Sequence, residues 1–207
     1  PALVARLLTA VRTHNPDDHL NTYPGSPLLV SAELRANDVL TACELHPEEH
    51  AALRRALPRA TNVQVHTRDG WEALGALLPP PQKRGLVLID PPYEESDELA
   101  RAARTLGPAL KRFGHGMYLW WRPLKNESAL AAADAEARAQ GAREVLRADL
   151  WVSAPKPDGR LAGSSLYIIN PPFGLAPALR EALPPLSEWL AIGKAGWTLR
   201  SGQNAPP

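Results

Sequence analysis

Three short apolar stretches, each closing on an acid and each followed by a helical pattern, constrain the fold of this chain more than any other feature. They are "DVLTACEL" (38–45), closing on Glu44, "NVQVHTRDG" (62–70), closing on Asp69-Gly70, and "GLVLID" (85–90), closing on Asp90. Short apolar runs bounded by turn residues read as buried strands. After the first, "PEEHAALRRAL" places Pro47 at the opening position of a short helix. After the second, Trp71, Leu74, Leu77 and Leu78 share a helix. Downstream, 99–113 reads as mostly helix, "GMYLWW" (116–121) as a strand and 127–140 as an Ala-rich helix. "EVLRADLWV" and "SSLYIIN" are two further strands separated by the loop "SAPKPDGRLAG", and a last amphipathic helix covers 179–190. Near the start, Leu3, Val4, Leu7, Leu8 and Val11 form a helical stripe that "THNPDD" ends. In "YPGSPLLVSAELR", Ser26 is placed to cap a helix with Pro27 at its first position. Strands alternating with helices predict an α/β domain with a largely parallel sheet, whose final strands can pair antiparallel.

Composition narrows the class of protein without choosing a function. At 207 residues, one domain is expected, spanning 1–207 and large enough to bury a real core. A formal charge of +1 does not by itself announce a nucleic-acid binder, although the cations are mostly arginine, which suits phosphate and base stacking. The single cysteine, Cys43, excludes an internal disulfide framework and fits a reducing cytoplasm. No apolar run approaches the ~20 residues of a membrane span.

Open α/β sheets take ligands beyond the carboxyl ends of their strands. Glu44, Asp69 and Asp90 in three successive strand-helix units would line one rim with acceptors, suited to the hydroxyls of a ribose and the amine of an adenine. Glu44 reads as a bridge to ribose hydroxyls, or as an acid favoured at a helix start. Asp69 reads as an acceptor for an adenine amine, or as the Asp of an Asp-Gly turn. The stretch Asp90-Pro91-Pro92-Tyr93 is more specific. Each proline fixes its own backbone and biases the residue before it to extended geometry, so the turn stays open. A carboxylate and the Pro91 carbonyl can then take both hydrogens of an exocyclic amine, and Tyr93 offers a face for stacking a base, worth ~1–3 kcal/mol.

With those residues in view, the chain resembles the S-adenosylmethionine-dependent amino methyltransferases whose signature is Asp/Asn/Ser-Pro-Pro-aromatic after a strand. "YPGSP" (23–27), "ELHP" (44–47), "RDG" (68–70), "RGLVLIDPPYE" (84–94) and "INPPF" (169–173) also follow the order found in the bacterial large-subunit ribosomal RNA adenine-N6 methyltransferases. The resemblance covers nearly the whole chain. It implies a Rossmann-like class I methyltransferase fold, mostly parallel with helices on both faces, and transfer of a methyl group from S-adenosylmethionine to the N6 amine of an adenine in 23S rRNA. It implies cofactor contacts at Ser26, Glu44, Asp69, Gly70 and Asp90, catalytic roles for Asp90, Pro91 and Tyr93, and no metal. Protein-free 23S rRNA is the implied partner and a monomer the expected state. Asn170-Pro171-Pro172-Phe173 imitates the first motif, but its place after the last strands predicts a pocket wall or sheet edge. Family members also carry an N-terminal portion with histidines and a glycine-rich loop that cradles the methionine part of the cofactor. Nothing similar stands here, so the expectation is a member lacking its first segment, the first strand included.

Rival readings attach to particular residues. "HPEEH" (46–50) fits a zinc-peptidase pattern, but Pro47 leaves His46 outside the helix and a third ligand is lacking. Trp120-Trp121 fits RNA stacking or core packing, and Lys83-Arg84 and Arg54-Arg55 fit phosphate contact or plain solvation. At the level of function, the alternatives are a DNA adenine methyltransferase and a non-catalytic RNA-binding remnant.

Overall fold

The computed structural model describes residues 1–202 except 18, 96 and 156–158. The chain divides into two units, residues 2–76 and residues 77 onward. In the first unit the elements run α1 (Ala2–Thr13), α2 (Ser26–Ala32), β1 (Leu40–Cys43), α3 (Pro47–Ala56), β2 (Val63–His66) and α4 (Gly70–Ala76). Strands β1 and β2 pair in parallel, from Leu40 against Val63 to Cys43 against His66. Pro47 takes the first helical turn of α3, where its missing N–H costs nothing. Helix α4 stops at Ala76, short of the sequence expectation that carried it over Leu77 and Leu78, because the residue before Pro79 is pushed out of helical geometry.

The turn after α1 is built around one buried side chain. The Asn15 amide donates to the carbonyls of Val11 (2.8 Å) and Thr22 (2.7 Å), while its oxygen accepts from the N–H groups of Asn21 and Thr22. Four bonds to one amide fix the chain path that delivers the "YPGSP" segment to α2. An exposed Arg6–Glu33 ion pair joins α1 to α2, a contact worth no more than ~1 kcal/mol.

The second unit holds β3 (Leu86–Ile89), α5 (Glu98–Arg112), β4 (Met117–Leu124), α6 (Glu127–Ala139), β5 (Val145–Trp151), β6 (Gly163–Ile169), α7 (Leu175–Trp189) and β7 (Gly196–Gly202). Its sheet order is β3-β4-β6-β5-β7. Only β3 and β4 pair in parallel there, and the other three pairings are antiparallel. The sheet is thus less parallel than the sequence suggested. A parallel pair needs a long crossover, whereas β5 and β6 are joined by a loop with no helix, so they fold back on each other. Within that loop, residues 156–158 lie outside the described residues. Strand β7 has no counterpart in the sequence reading, and α7 begins before the expected 179.

Beneath α6 this sheet buries charge as well as apolar surface. The register sets Trp120, Tyr167, Arg147 and Arg200 in one row across four strands, and Arg122, Ser165, Asp149 and Thr198 in the next. Arg122 and Ser165 are wholly buried, with Arg147 and Asp149 nearly so. Asp134 of α6 joins the two into one ion row, accepting from the guanidinium groups of both Arg122 and Arg147. Arg147 also pairs with Asp149 (2.9 Å) and Glu127 (2.6 Å). Among the described residues, no helix is long and apolar enough to cross a membrane.

Candidate active site

Strand β3 ends at Ile89, in register with Trp120, but its partner β4 runs on to Leu124. Residues Asp90 to Tyr93 therefore leave the sheet beside a strand that continues. Asp90 is solvent-exposed, and its carboxyl pKa is raised because nearby protein displaces part of its water. Among the described residues, no hydrogen-bond donor meets the Asp90 carboxylate or the Pro91 carbonyl.

Tyr93 is fixed differently. Its backbone lies in the left-handed region at φ 55°, unusual for a bulky residue. Its hydroxyl donates to the Trp121 carbonyl at 2.6 Å and accepts from the Trp120 indole N–H at 2.7 Å. The ring tilts against Trp121, with centroids 5.7 Å apart. Burial pushes the phenol well above the ordinary tyrosine range, so the hydroxyl stays protonated. Trp120 is itself completely buried, under the Arg122 guanidinium at 5.0 Å and edge-on to Tyr167. Sequence reasoning left Trp120-Trp121 between packing and stacking. Packing is what Trp120 does, with an added bond to the motif tyrosine that only its indole nitrogen, placed by the β3–β4 register, makes possible.

The remaining predicted residues lie in the first unit. Because β1 and β2 are parallel, Glu44 and Asp69 both follow carboxyl ends. Glu44 takes the next backbone bond, from its N–H to the His66 carbonyl (3.0 Å), and one carboxylate oxygen accepts from the His46 N–H at 2.8 Å. The other oxygen meets no donor among the described residues. Asp69 accepts from the Trp71 N–H at 2.7 Å, holding the start of α4. Gly70 is exposed, and a Cβ placed on it would meet nothing within 4 Å. Ser26 departs from expectation. Gly25, not Ser26, is the N-cap of α2, no side chain caps the helix, and Ser26 and Pro27 both fall inside it. The exposed Ser26 hydroxyl is therefore left without the capping role that would have explained it. These donor and acceptor types fit a nucleoside: a carboxylate oxygen with open lone pairs, a hydroxyl, and an uncrowded glycine backbone.

Other sequence candidates separate by geometry. Asn170 lies at the opposite end of its sheet from Asp90, beyond the pairing of Ile169 with Tyr118. Its side-chain amide donates to the carbonyls of Gly114 (2.8 Å) and Gly116 (2.7 Å), and Phe173 is fully exposed. The second motif thus forms a clamp where the central strand β6 leaves the sheet, and not at a sheet edge, since the edge strands are β3 and β7. Arg54, Arg55 and Arg59 line a cavity of about 260 Å³ with Leu57, Val63 and Val65, at the amino end of β2 and away from Glu44 and Asp69.

The sequence model of one protein family, described as "RsmJ: Ribosomal RNA large subunit methyltransferase D, RlmJ", matches residues 1–201. The chain belongs to this family. It is similar to the ribosomal RNA large subunit methyltransferase J of Escherichia coli, 34% identical over 95% of this chain and 70% of that protein. It is 33% identical to the protein of the same name in Haemophilus influenzae, over 96% of this chain and 72% of the other. A solved structure from Legionella pneumophila superposes with a TM-score of 0.90 at 32% identity, covering 98% of this chain and 75% of that one. A probable spermidine synthase from Corynebacterium glutamicum matches at a TM-score of 0.52 and 15% identity, a likeness of fold alone. The Rossmann-like α/β methyltransferase fold and the ribosomal RNA methyltransferase family expected from the sequence are both borne out.

Proposed function

We propose that this protein methylates the N6 amine of an adenine in 23S rRNA, using S-adenosylmethionine, and that Asp90, Pro91 and Tyr93 do the positioning. The observation that carries the reading is the Asp90–Tyr93 loop: an unpartnered carboxylate and carbonyl beside an aromatic ring whose hydroxyl is pinned. Family membership supports the ribosomal RNA as substrate. The exocyclic amine offers two hydrogens and the loop offers two acceptors. Holding both hydrogens turns the nitrogen lone pair away from the loop, and the carboxylate compensates positive charge as it develops on the amine. Partial desolvation of Asp90 makes that carboxylate a stronger proton acceptor than one in water. Tyr93 stacks the target base, which must leave its own stack to reach the loop. S-adenosylmethionine, when bound, supplies an electrophilic methyl group. Glu44 would hold its ribose, Asp69 its adenine, with Ser26 and the Gly70 backbone alongside.

We further propose that the enzyme acts in the cytoplasm as a monomer on protein-free rRNA. The test is methyl transfer from S-adenosylmethionine to protein-free 23S rRNA and to duplex DNA, by the parent and by Asp90→Ala. Transfer to rRNA alone, reduced at least ~100-fold in the variant, supports the reading. Transfer to duplex DNA instead would make it a DNA methyltransferase, and near-normal turnover by Asp90→Ala would end the assignment of Asp90.

A further inference from the structure

We infer that Trp120 and the Trp121 carbonyl are the device that positions the base-stacking ring, and that the buried interior, rather than the loop itself, sets where the target base sits. This inference rests on the reading of Asp90–Tyr93 as the methyl-transfer loop. Its starting point is a conflict. Tyr93 sits in a left-handed backbone conformation that disfavours a non-glycine residue. Two prolines before it keep the loop from collapsing into helix, but neither holds the ring. What holds it is the hydroxyl, which gives one bond and receives another, at 2.6 and 2.7 Å, on consecutive residues of β4.

Both anchors are embedded in the sheet. The Trp121 carbonyl belongs to a strand paired on the far side with Leu166. Trp120 has no exposed surface, and its ring is fixed by Arg122 over one face and by Tyr167 at its edge. Arg122 in turn is held by Asp134 and by Ser165 at 2.9 Å. A chain of contacts thus runs from the buried ion row through an indole to the phenol on the loop. A phenylalanine at position 93 would offer the same stacking face with nothing to tie it down. The hydroxyl therefore contributes orientation, and Trp120 acts through it as a positioning residue.

The test is a double-mutant cycle on methyl transfer to protein-free 23S rRNA, using Tyr93→Phe and Trp120→Phe singly and together, alongside NMR exchange of the Trp120 indole proton. Tyr93→Phe is expected to lower kcat about tenfold with KM for S-adenosylmethionine unchanged, since a misaligned base costs rate rather than cofactor binding. In the same variant the Trp120 indole proton should lose its exchange protection. Trp120→Phe should cost a similar factor, and the double variant no more than the larger single loss. If Trp120→Phe does not fold, the kcat and exchange measurements on Tyr93→Phe decide the matter alone. Unchanged kcat in Tyr93→Phe, losses that multiply in the double variant, or an indole proton indifferent to the hydroxyl would each overturn the inference. Asp90→Ala keeps the two ideas apart. Its inactivity beside a fully active Tyr93→Phe removes the anchor and leaves the function standing, whereas an active Asp90→Ala removes the function itself.

Discussion

Removing the Asp134 carboxylate should be among the most damaging single changes available to the second unit. Arg122 beneath it is entirely out of water, and burial lowers its pKa, with Asp134 the largest opposing influence. Its other supports are weaker, Ser165 at 2.9 Å and the faces of Trp120 and Tyr167 at 5.0 and 4.8 Å, and its Nε meets no partner among the described residues. Asp134→Ala removes the carboxylate bonded to that cation, leaving Asp149 as its weaker counter-charge, and takes one of three carboxylates from Arg147. Breaking a buried pair from one side costs about 3–5 kcal/mol. At about 2–4 °C per kcal/mol for a chain of this size, the melting temperature should fall by about 6–20 °C. Glu127 supplies the internal control. It pairs with Arg147 and Arg200 but is 54% exposed, so Glu127→Ala should cost at most ~1 kcal/mol. Adding Arg122→Met to Asp134→Ala should recover part of the loss, because the under-compensated charge disappears. Urea unfolding followed by tryptophan fluorescence measures all three. An Asp134→Ala penalty below ~1 kcal/mol, or equal to that of Glu127→Ala, would refute the view that this row is held by paired charge.

Three further outcomes are expected. Gly70→Ala should leave thermal stability unchanged or slightly higher, since a Cβ there meets nothing, yet weaken S-adenosylmethionine binding tenfold or more, about 1.4 kcal/mol by calorimetry. Unaltered affinity would remove Gly70 from the cofactor site. Asn170→Ala should cost about 2 kcal/mol, from two lost carbonyl bonds and a φ of 53° that asparagine tolerates better than alanine, while turnover per folded molecule stays at the parent value. On the proposed role of Asp90 as an ionised acceptor, the pH profile of kcat/KM should fall on its acid side above the ordinary aspartate range, because desolvation raises its pKa. By the same sign, folding disfavours the Asp90 charge and stability grows as pH drops through the raised pKa. Asp90→Asn should therefore be inactive yet melt no lower than the parent at neutral pH.

Much of this architecture could be read from local pattern. Pro47 marks a helix start that the structure places at the same residue, and each acid-terminated run is a strand, with Glu44 and Asp90 directly after the last paired residue and Asp69 three residues past His66. What escaped depends on partners distant in sequence. Strand β7, "GWTLRSG", carries only Trp197 and Leu199 as apolar residues and owes its strand state to pairing with β5. Arg122, Arg147 and Asp149 look in sequence like solvated positions, and only the register under α6 shows them buried and mutually neutralised. Ser26 was misread by one residue. The helix starts where a capping serine was expected, and a cap cannot be told from a first-turn residue without the backbone angle. At the Asp90–Tyr93 loop the sequence reveals the acceptors, but the grip on Tyr93 comes from β4, where two adjacent tryptophans read as packing.

The two proline-proline motifs carry a lesson in what one atom decides. Asn170 has an amide nitrogen and uses it to tie down a pair of carbonyls, and the phenylalanine that ends its motif is left bare to solvent. Exchanging that nitrogen for oxygen would set a second anion against the same two carbonyls and turn a brace into a wedge. Under the function proposed above, the reverse exchange at Asp90 would point hydrogens at the amine. Near-identical four-residue words thus serve opposite trades on one sheet, and swapping their first letters should ruin both.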